Sequence, residues 1–299
     1  MTKKFFYHIT PEDDEKSVET FLKEQGFSHH LLVHLKKTKE SILRNGTWLY
    51  LKDTLHQDDC LEVTLTESES ISDFPAKPLP FSVVYEDEDI LIANKPAHMP
   101  THPSMQNYDN TLANAVLWYQ RQQEEAYPFR CMNRLDKDTT GLTIVAKHAL
   151  SASILSAAIR NREIKREYLA IVTGKTDTFG TIDAPIARKD GSILERCVDF
   201  ENGERAVTHY KRLMYKDGLS LLLLTLETGR THQIRVHMKY LNHPLIGDFL
   251  YNPDFSKMNR QALHAYRLSF LHPIKKEPIL ISAPLPSDMV SLFPEYQKM

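Results

Sequence analysis

Cysteine is scarce. Cys60, Cys131 and Cys197 are the only three in 299 residues, too few and too widely spaced for a disulfide framework or paired zinc ligands, and they fit reduced thiols. No apolar run approaches the roughly 20 residues that a membrane-spanning helix needs. The basic start around Lys3 and Lys4 passes into Glu12, Asp13, Asp14 and Glu15 without the apolar core of a secretory signal, which points to a cytoplasmic protein. Internal repeats and low-complexity segments are missing as well. An apolar content of 41% with 25% charged residues excludes a disordered or fibrous class. The net charge of −2 excludes a chain that coats nucleic acid indiscriminately, because such binding rests on many phosphate contacts.

Charge is unevenly distributed, however. Acid gathers in the first third, at Asp13 to Glu15, Asp58 and Asp59, and Glu86 to Asp89. Between Glu227 and Asp248 there is no carboxylate, while Arg230, Arg235 and Lys239 are joined by His232, His237 and His243. Arg160, Arg162, Lys165 and Arg166 form a second basic cluster. A cationic face on a nearly neutral protein is the pattern of selective RNA binding.

The richest local signal is Asn133-Arg134-Leu135-Asp136-Lys137-Asp138-Thr139-Thr140-Gly141, followed by the apolar stretch Leu142 to Ala146. It puts an aspartate in a short polar, hairpin-like loop at the mouth of a buried strand, where a carboxylate is held stiffly and presented to a ligand. Asp136 is the candidate nucleophile. From His148 to Asn161, Leu150, Ile154, Leu155, Ala158 and Ile159 mark one helix face. A strand follows from Lys165, with Tyr168, Ala170 and Val172 on one side. The nearly continuous apolar strand Leu219 to Leu226 turns at Glu227-Thr228-Gly229-Arg230 into a helix predicted from Thr231 to Leu241, with Thr231 as its cap. Ile234, Met238 and Leu241 face the core, and His232, Arg235 and Lys239 share the other face.

Earlier in the chain, Val18, Phe21 and Leu22 suit one helix, and Leu31, Leu32, Leu35 and Ile42 a second that stops near Asn45-Gly46. Short strands are predicted over Trp48 to Leu51 and Leu61 to Leu65. Three prolines between Ile71 and Pro80 predict an extended linker. Val83 to Tyr85 and Ile90 to Ala93 then flank an acidic turn, before Asn94-Lys95-Pro96.

Four of these segments resemble motifs of the RluA family of pseudouridine synthases. The run around Asp136 resembles R-L-D-x-x-T-S-G. Lys165 to Gly174 resembles K-x-Y-x-A-x-V-x-G. Thr228 to His237, with His243 to Asp248, is similar to T-G-R-T-H-Q-I-R-V-H and H-P-I-x-G-D. Tyr85 to Pro103 resembles the family's first motif, with His98 where glycine is expected, which predicts a different loop path. Lys95 is a weak candidate for substrate contact. Asn133 stands for a frequent histidine and Thr140 for serine, so substrate choice is affected more than chemistry. The resemblance spans about residues 83 to 286.

The resemblance implies an α+β fold: a catalytic domain on a mixed, largely antiparallel sheet over 83–299, a linker at 71–82, and a divergent S-four-like RNA-binding domain over 1–70. It implies isomerisation of uridine to pseudouridine in structured ribosomal or transfer RNA. Asp136, Tyr168 and Arg235 are the implied catalytic residues, Arg235 pairing with Asp136. Desolvation raises a carboxylate from about 3.9 and a fixed cation lowers it again, which is the physical need for that pair. Arg134, Lys165, Arg230, His232 and Lys239 are the candidate RNA contacts. No cofactor or metal is expected, since no redox change or hydrolysis occurs and His232 and His237 are poorly spaced for zinc. A monomer is the expected state. A non-catalytic RNA-binding protein is the alternative, but it has no reason to keep Asp136 among phosphate-seeking cations. A glycoside hydrolase would need two opposed carboxylates, and Asp138 lies too near in sequence to supply the second.

Overall fold

The computed structural model describes residues 2–67 and 74–298. Residues 68–73, where the first domain is expected to end and the linker to begin, lie outside the described residues. The first unit contains β1 (Thr2–His8), α1 (Val18–Glu24), α2 (His29–Lys37), β2 (Ile42–Arg44), β3 (Thr47–Trp48) and β4 (Cys60–Thr66). Its strands pair antiparallel in the order β1-β4-β2-β3. Ser17 and Ser28 start the two helices by accepting hydrogen bonds from the backbone N–H groups of Thr20 (3.2 Å) and Leu31 (3.4 Å). Phe21, Leu22, Leu31, Leu32 and Leu35 then bury against Phe5, Leu61 and Val63.

Two expectations for this unit are corrected. The second helix ends at Lys37, where Thr38 turns extended and the Ser41 hydroxyl donates to the Leu35 carbonyl (2.8 Å). Ile42 belongs to β2. It lies two helical turns beyond Leu35, so both elements would bury it and periodicity alone cannot separate them. The strand expected over Trp48 to Leu51 keeps only Trp48, because the Tyr50 N–H donates to the Asp53 carboxylate (2.8 Å) and turns the chain. β1 is not among the expected strands, since only Phe5 of its side chains is buried.

The larger unit contains β5 (Ser82–Glu86), β6 (Ile90–Lys95), α3 (Leu112–Gln122), β7 (Arg130–Cys131), β8 (Thr140–Ala146), α4 (Ala149–Arg160), β9 (Lys165–Thr173), β10 (Phe179–Asp183), β11 (Ile186–Arg188) and β12 (Arg196–Val198). It continues with β13 (Val207–Lys216), β14 (Leu219–Leu226), α5 (Gln233–Tyr240), β15 (Leu263–Leu271), β16 (Pro278–Ser282) and α6 (Ser287–Val290). Among the described residues one large sheet runs β10-β13-β14-β9-β15-β8-β6-β5, with β7 beside β8 and β16 beside β15. Only β15 and β8 pair in parallel, so the sheet is mixed and largely antiparallel, as expected. β11 and β12 form a separate hairpin.

The middle of this sheet is covered on both faces. On one side Tyr168, Ala170, Val172, Leu222 and Leu224 pack against Ile234 and Met238 of α5, and on the other Leu169, Ile171 and Leu221 pack against Met289 and Phe293. That explains the nearly continuous apolar run of β14. Gly141, at φ +112°, lets β8 and β15 meet directly after the Asp136 loop, since a Cβ there would lie 2.3 Å from the Ala265 carbonyl oxygen. Helix α4 serves two cores. Leu150 and Ile154 enter the first unit's core, while Leu155, Ala158 and Ile159 pack with Ile90, Ile144 and Phe270. The Ser153 hydroxyl donates to the Gly26 carbonyl (2.8 Å), and Lys3 of β1 pairs with Asp89 (3.1 Å), which also meets His148 (2.9 Å).

Candidate active site

The Asp136 loop is fixed from beneath. Asn133 is buried, its amide donating to the Leu142 carbonyl (3.0 Å) and its oxygen accepting from the Ile144 N–H (2.8 Å). This residue braces the hairpin rather than facing a substrate. Thr101 brackets Leu135, donating to its carbonyl (2.9 Å) and accepting from its N–H (3.2 Å). Lys95 is fully buried and points inward, its ammonium donating to the carbonyls of Pro96, Met99 and Lys137 at 2.8, 2.7 and 3.0 Å. Burial pulls its pKa down to about 7, yet three acceptors around one nitrogen suit the charged form, which alone offers three hydrogens. The expected substrate contact for Lys95 is thus replaced by a clamp on the loop. His98 takes the left-handed conformation itself (φ 60°), a region glycine enters at no steric cost, and its ring pairs with Asp138 (2.7 Å).

Asp136 stands on this platform with its side chain 29% exposed. Arg235, 99 positions later in the chain, donates from Nη1 to Asp136 Oδ2 at 2.9 Å. The same guanidinium donates from Nε and Nη2 to the two oxygens of Asp248 at 2.7 and 2.8 Å. Asp248 is buried and also accepts from the Leu250 and Tyr251 N–H groups (3.0 and 3.1 Å). Tyr251 and Phe249 lie against the guanidinium at 5.0 and 5.5 Å. Burial alone would lower the Arg235 pKa, but the Asp248 bonds and the Asp136 charge outweigh it and hold the guanidinium above its usual value. The cation is permanent. A bidentate, doubly paired arginine is a stiff support for a carboxylate.

The cleft around this pair is lined by Arg134, Leu135, Asp136, Tyr168, Arg230, His232 and Leu263, among others. Tyr168 is 6% exposed and no described residue hydrogen-bonds its hydroxyl. Burial raises its pKa, so the phenol stays protonated. Arg134, Arg230 and His232 are brought together here. Lys165 and Lys239 do not line this cleft: Lys165 is exposed at the start of β9, and Lys239 lies over Tyr251 (5.5 Å) in a neighbouring groove. Arg230 is itself paired with Glu204, and Glu227 collects Arg162, Arg205 and His209, which partly neutralises the basic face.

The helix carrying Arg235 starts later than predicted. Thr231 is exposed and caps nothing; His232 occupies the cap position at φ 59°, in the left-handed region, with no side-chain cap bond. Gln233 does the organising. Its oxygen accepts from the Arg230 N–H (2.9 Å) and the Thr228 hydroxyl (2.8 Å), and its amide donates to Val207 and Thr208 on β13 (both 3.0 Å). The sequence alone gives Gln233, Asp248 and Tyr251 no role, although Gln233 and Asp248 stand within the matched strings. His237 is buried between Thr208 and the Ala184 carbonyl (both 2.8 Å), a packing role. Elsewhere, Asp87, Asp89 and His272 bring three donor atoms within 4.8 Å of one another. Lys275 holds Asp87 Oδ2, the Asp89 and Ile90 N–H groups donate to Asp87 Oδ1, and Lys3 and His148 hold Asp89 Oδ1, which leaves Asp89 Oδ2 alone without a hydrogen-bond partner among the described residues, so the group acts as an ion-pair network between the units.

Comparison with known proteins meets this geometry. A family model described as RNA pseudouridylate synthase matches residues 89–240. An uncharacterized RNA pseudouridine synthase of Bacillus subtilis (strain 168) is 40% identical over 277 residues, covering 92% of this chain and 98% of that protein. The ribosomal large subunit pseudouridine synthase D of Escherichia coli (strain K12) is 40% identical over 240 residues, covering 76% of this chain and 73% of its own. The solved structure of human RNA pseudouridylate synthase domain containing 1 superposes with a TM-score of 0.59 at 25% identity, covering 75% of this chain and 98% of that one. The match spans the Asp136 loop, β9 and the whole of α5, and the chain belongs to the RNA pseudouridylate synthases, isomerases that convert uridine to pseudouridine in RNA.

Proposed function

We propose that Asp136 is the nucleophile of this isomerisation and that Arg235 holds and aims it. The observation that carries the reading is the 2.9 Å contact between Arg235 Nη1 and Asp136 Oδ2, at the edge of a cleft whose wall is Tyr168. The target uridine is hidden in stacked or paired RNA, so it is flipped into the cleft at an unstacking cost of a few kcal/mol. Asp136 then attacks C1′ of the ribose or C6 of uracil, or removes a ribose proton; in each case the base separates from the sugar, turns and rejoins through C5. Tyr168 stacks on the flipped base, and its free hydroxyl is available to relay the C5 proton. Arg134 and Arg230, at the cleft, and Lys165 and Lys239, further out, contact phosphates and position the RNA.

The substrate in this reading is a structured ribosomal or transfer RNA, with large-subunit ribosomal RNA favoured by the names of the relatives. The division into an N-terminal unit over 1–70, a connection at 71–82 and a catalytic domain over 83–299 belongs to the same reading. It is supported by the change from the small sheet, ending at Thr66, to the large one, starting at Ser82. In the N-terminal unit a groove is lined by Lys36, Trp48, Tyr50 and Lys52, with the two aromatic rings 5.0 Å apart and partly exposed. Neither lysine is ion-paired among the described residues, and lysines beside exposed aromatic faces suit unpaired RNA bases. A cytoplasmic monomer completes the reading.

Asp136→Asn tests the reading. The variant keeps shape and removes charge, so it is expected to bind RNA and form no pseudouridine; near-normal turnover would overturn the role of Asp136.

A further inference from the structure

His232 is held in a way that RNA positioning does not require. Its backbone sits in the left-handed region at φ 59°, a conformation that persists in a non-glycine residue only when its surroundings enforce it. Its ring packs edge-on against Tyr251 at 5.7 Å, and its Nδ1 lies 2.9 Å from the Tyr251 hydroxyl. That hydroxyl already accepts from the Arg196 N–H (2.9 Å). Its own hydrogen has one acceptor among the described residues, Nδ1 of His232. Burial pushes the Tyr251 phenol up to about 12, so the donor is always present, and burial also keeps the imidazole below its ordinary pKa and hence neutral at neutral pH. A neutral imidazole that accepts at Nδ1 carries its proton on Nε2. Nε2 lies 3.8 Å from Asp136 Oδ2, beyond hydrogen-bond range, and the side chain is 14% exposed to the cleft. The result is a locked donor without an acceptor, beside the nucleophile.

We propose that His232 Nε2–H donates to a carbonyl oxygen of the flipped uracil and stabilises the negative charge that develops there. This rests on Asp136 acting as proposed above. If Asp136 attacks C1′, the C1′–N1 bonding pair leaves with uracil and spreads over O2 and O4. Removal of a ribose proton with loss of the base yields the same anion. Attack at C6 drives a pair through C5 and C4 onto O4. All three routes load a carbonyl oxygen, and a fixed, pre-aimed donor lowers the energy of that charge. The proton stays on His232 throughout. When C5 bonds to C1′, the proton lost from C5 is matched by one gained at N1, and the reaction remains a net isomerisation. Tyr251 is the positioning residue, acting only through the tautomer it enforces.

The test is single-turnover tritium release from a large-subunit ribosomal RNA transcript labelled at uridine C5, with RNA affinity measured in parallel. His232→Ala is expected to slow the bound-state rate about 10²–10³-fold, the usual loss for one such donor, while affinity stays near that of the parent. His232→Gln, which presents an N–H near the same point, recovers most of the rate. Transcripts made with 2-thiouridine or 4-thiouridine identify the oxygen: sulfur at the contacted position slows the parent enzyme and leaves His232→Ala unaffected. Tyr251→Phe, which keeps the ring against Arg235, slows the parent, and added to His232→Gln slows it no further. The proposal is overturned if His232→Ala turns over bound RNA at the parental rate, if it loses affinity alone, or if both sulfur substitutions act equally in parent and variant. A parental rate in Tyr251→Phe overturns the tautomer lock. Failure of the underlying reading looks different, because Asp136→Asn would then remain active.

Discussion

Asp248 holds Arg235 by both of its oxygens, at 2.7 and 2.8 Å, and so leaves Nη1 as the guanidinium edge that meets Asp136. One carboxylate is buried and one faces the cleft, and the arginine between them serves both. The pairing explains why a guanidinium stands here: a lysine offers a point charge and cannot grip two carboxylates in fixed directions.

Asp248→Asn should therefore be costly twice over. It leaves a buried guanidinium short of a counter-charge, which costs about 3–5 kcal/mol when one partner of a buried pair is removed. It also loosens the grip that directs Nη1. Thermal unfolding should show a lower midpoint, and turnover of bound RNA should fall at a temperature where the variant is still folded. A folded variant with parental turnover would count against the positioning role.

Stability should fall on mild acidification. His264 is buried, with Nδ1 2.9 Å from the Thr140 hydroxyl and Nε2 3.3 Å from the Ala283 carbonyl, and burial pulls its pKa down to about 4. Its folded value lies below the unfolded one of about 6.5, so the unfolded chain binds the proton more readily. The contribution is intact above about pH 6.5 and is lost as pH falls toward 4, at about 1.4 kcal/mol per pH unit within that window. His232 and His237, also lowered by burial, add in the same direction. Denaturant unfolding between pH 7 and pH 5 checks this, and His264→Gln should flatten the slope. An unchanged slope in that variant would assign the acid sensitivity elsewhere.

Trp48→Ala combined with Tyr50→Ala should weaken RNA binding while leaving the chemical step alone. Base stacking on an aromatic ring is worth about 1–3 kcal/mol per base, so a loss of roughly tenfold or more in affinity is expected. Filter binding with the same transcript, alongside single-turnover rates, separates the two effects. Unaltered affinity would remove the groove from the RNA path.

Some of this architecture was legible in the chain. β14 coincides with the apolar run Leu219 to Leu226 to the residue, because a strand covered on both faces leaves a nearly continuous signal. α4 begins one residue after His148, whose ring accepts from the Ser151 N–H (3.2 Å). The meeting of Asp136 and Arg235 was accessible only through motif resemblance, since no local pattern links positions 99 apart. Other features were hidden for physical reasons. Lys95 looked like a substrate contact because lysine is rarely buried, and nothing local reveals three carbonyls closing around it. Ile42 satisfied helix and strand alike. His232 read as a member of a basic face, whereas its left-handed backbone and its bond to Tyr251 are set by a hairpin more than thirty residues upstream and a loop downstream.

α4 keeps one flank in each of two hydrophobic cores, and this has a geometric outcome for substrate choice. The aromatic groove near Trp48 and the pocket at Asp136 stand on bodies riveted through the same twelve-residue rod, so their separation is a built-in gauge. An RNA that reaches both must present its unpaired bases and its target uridine at that spacing. Lengthening the connection around Pro75 to Pro80 would leave the gauge as it is, because the rod, and not the tether, sets the span.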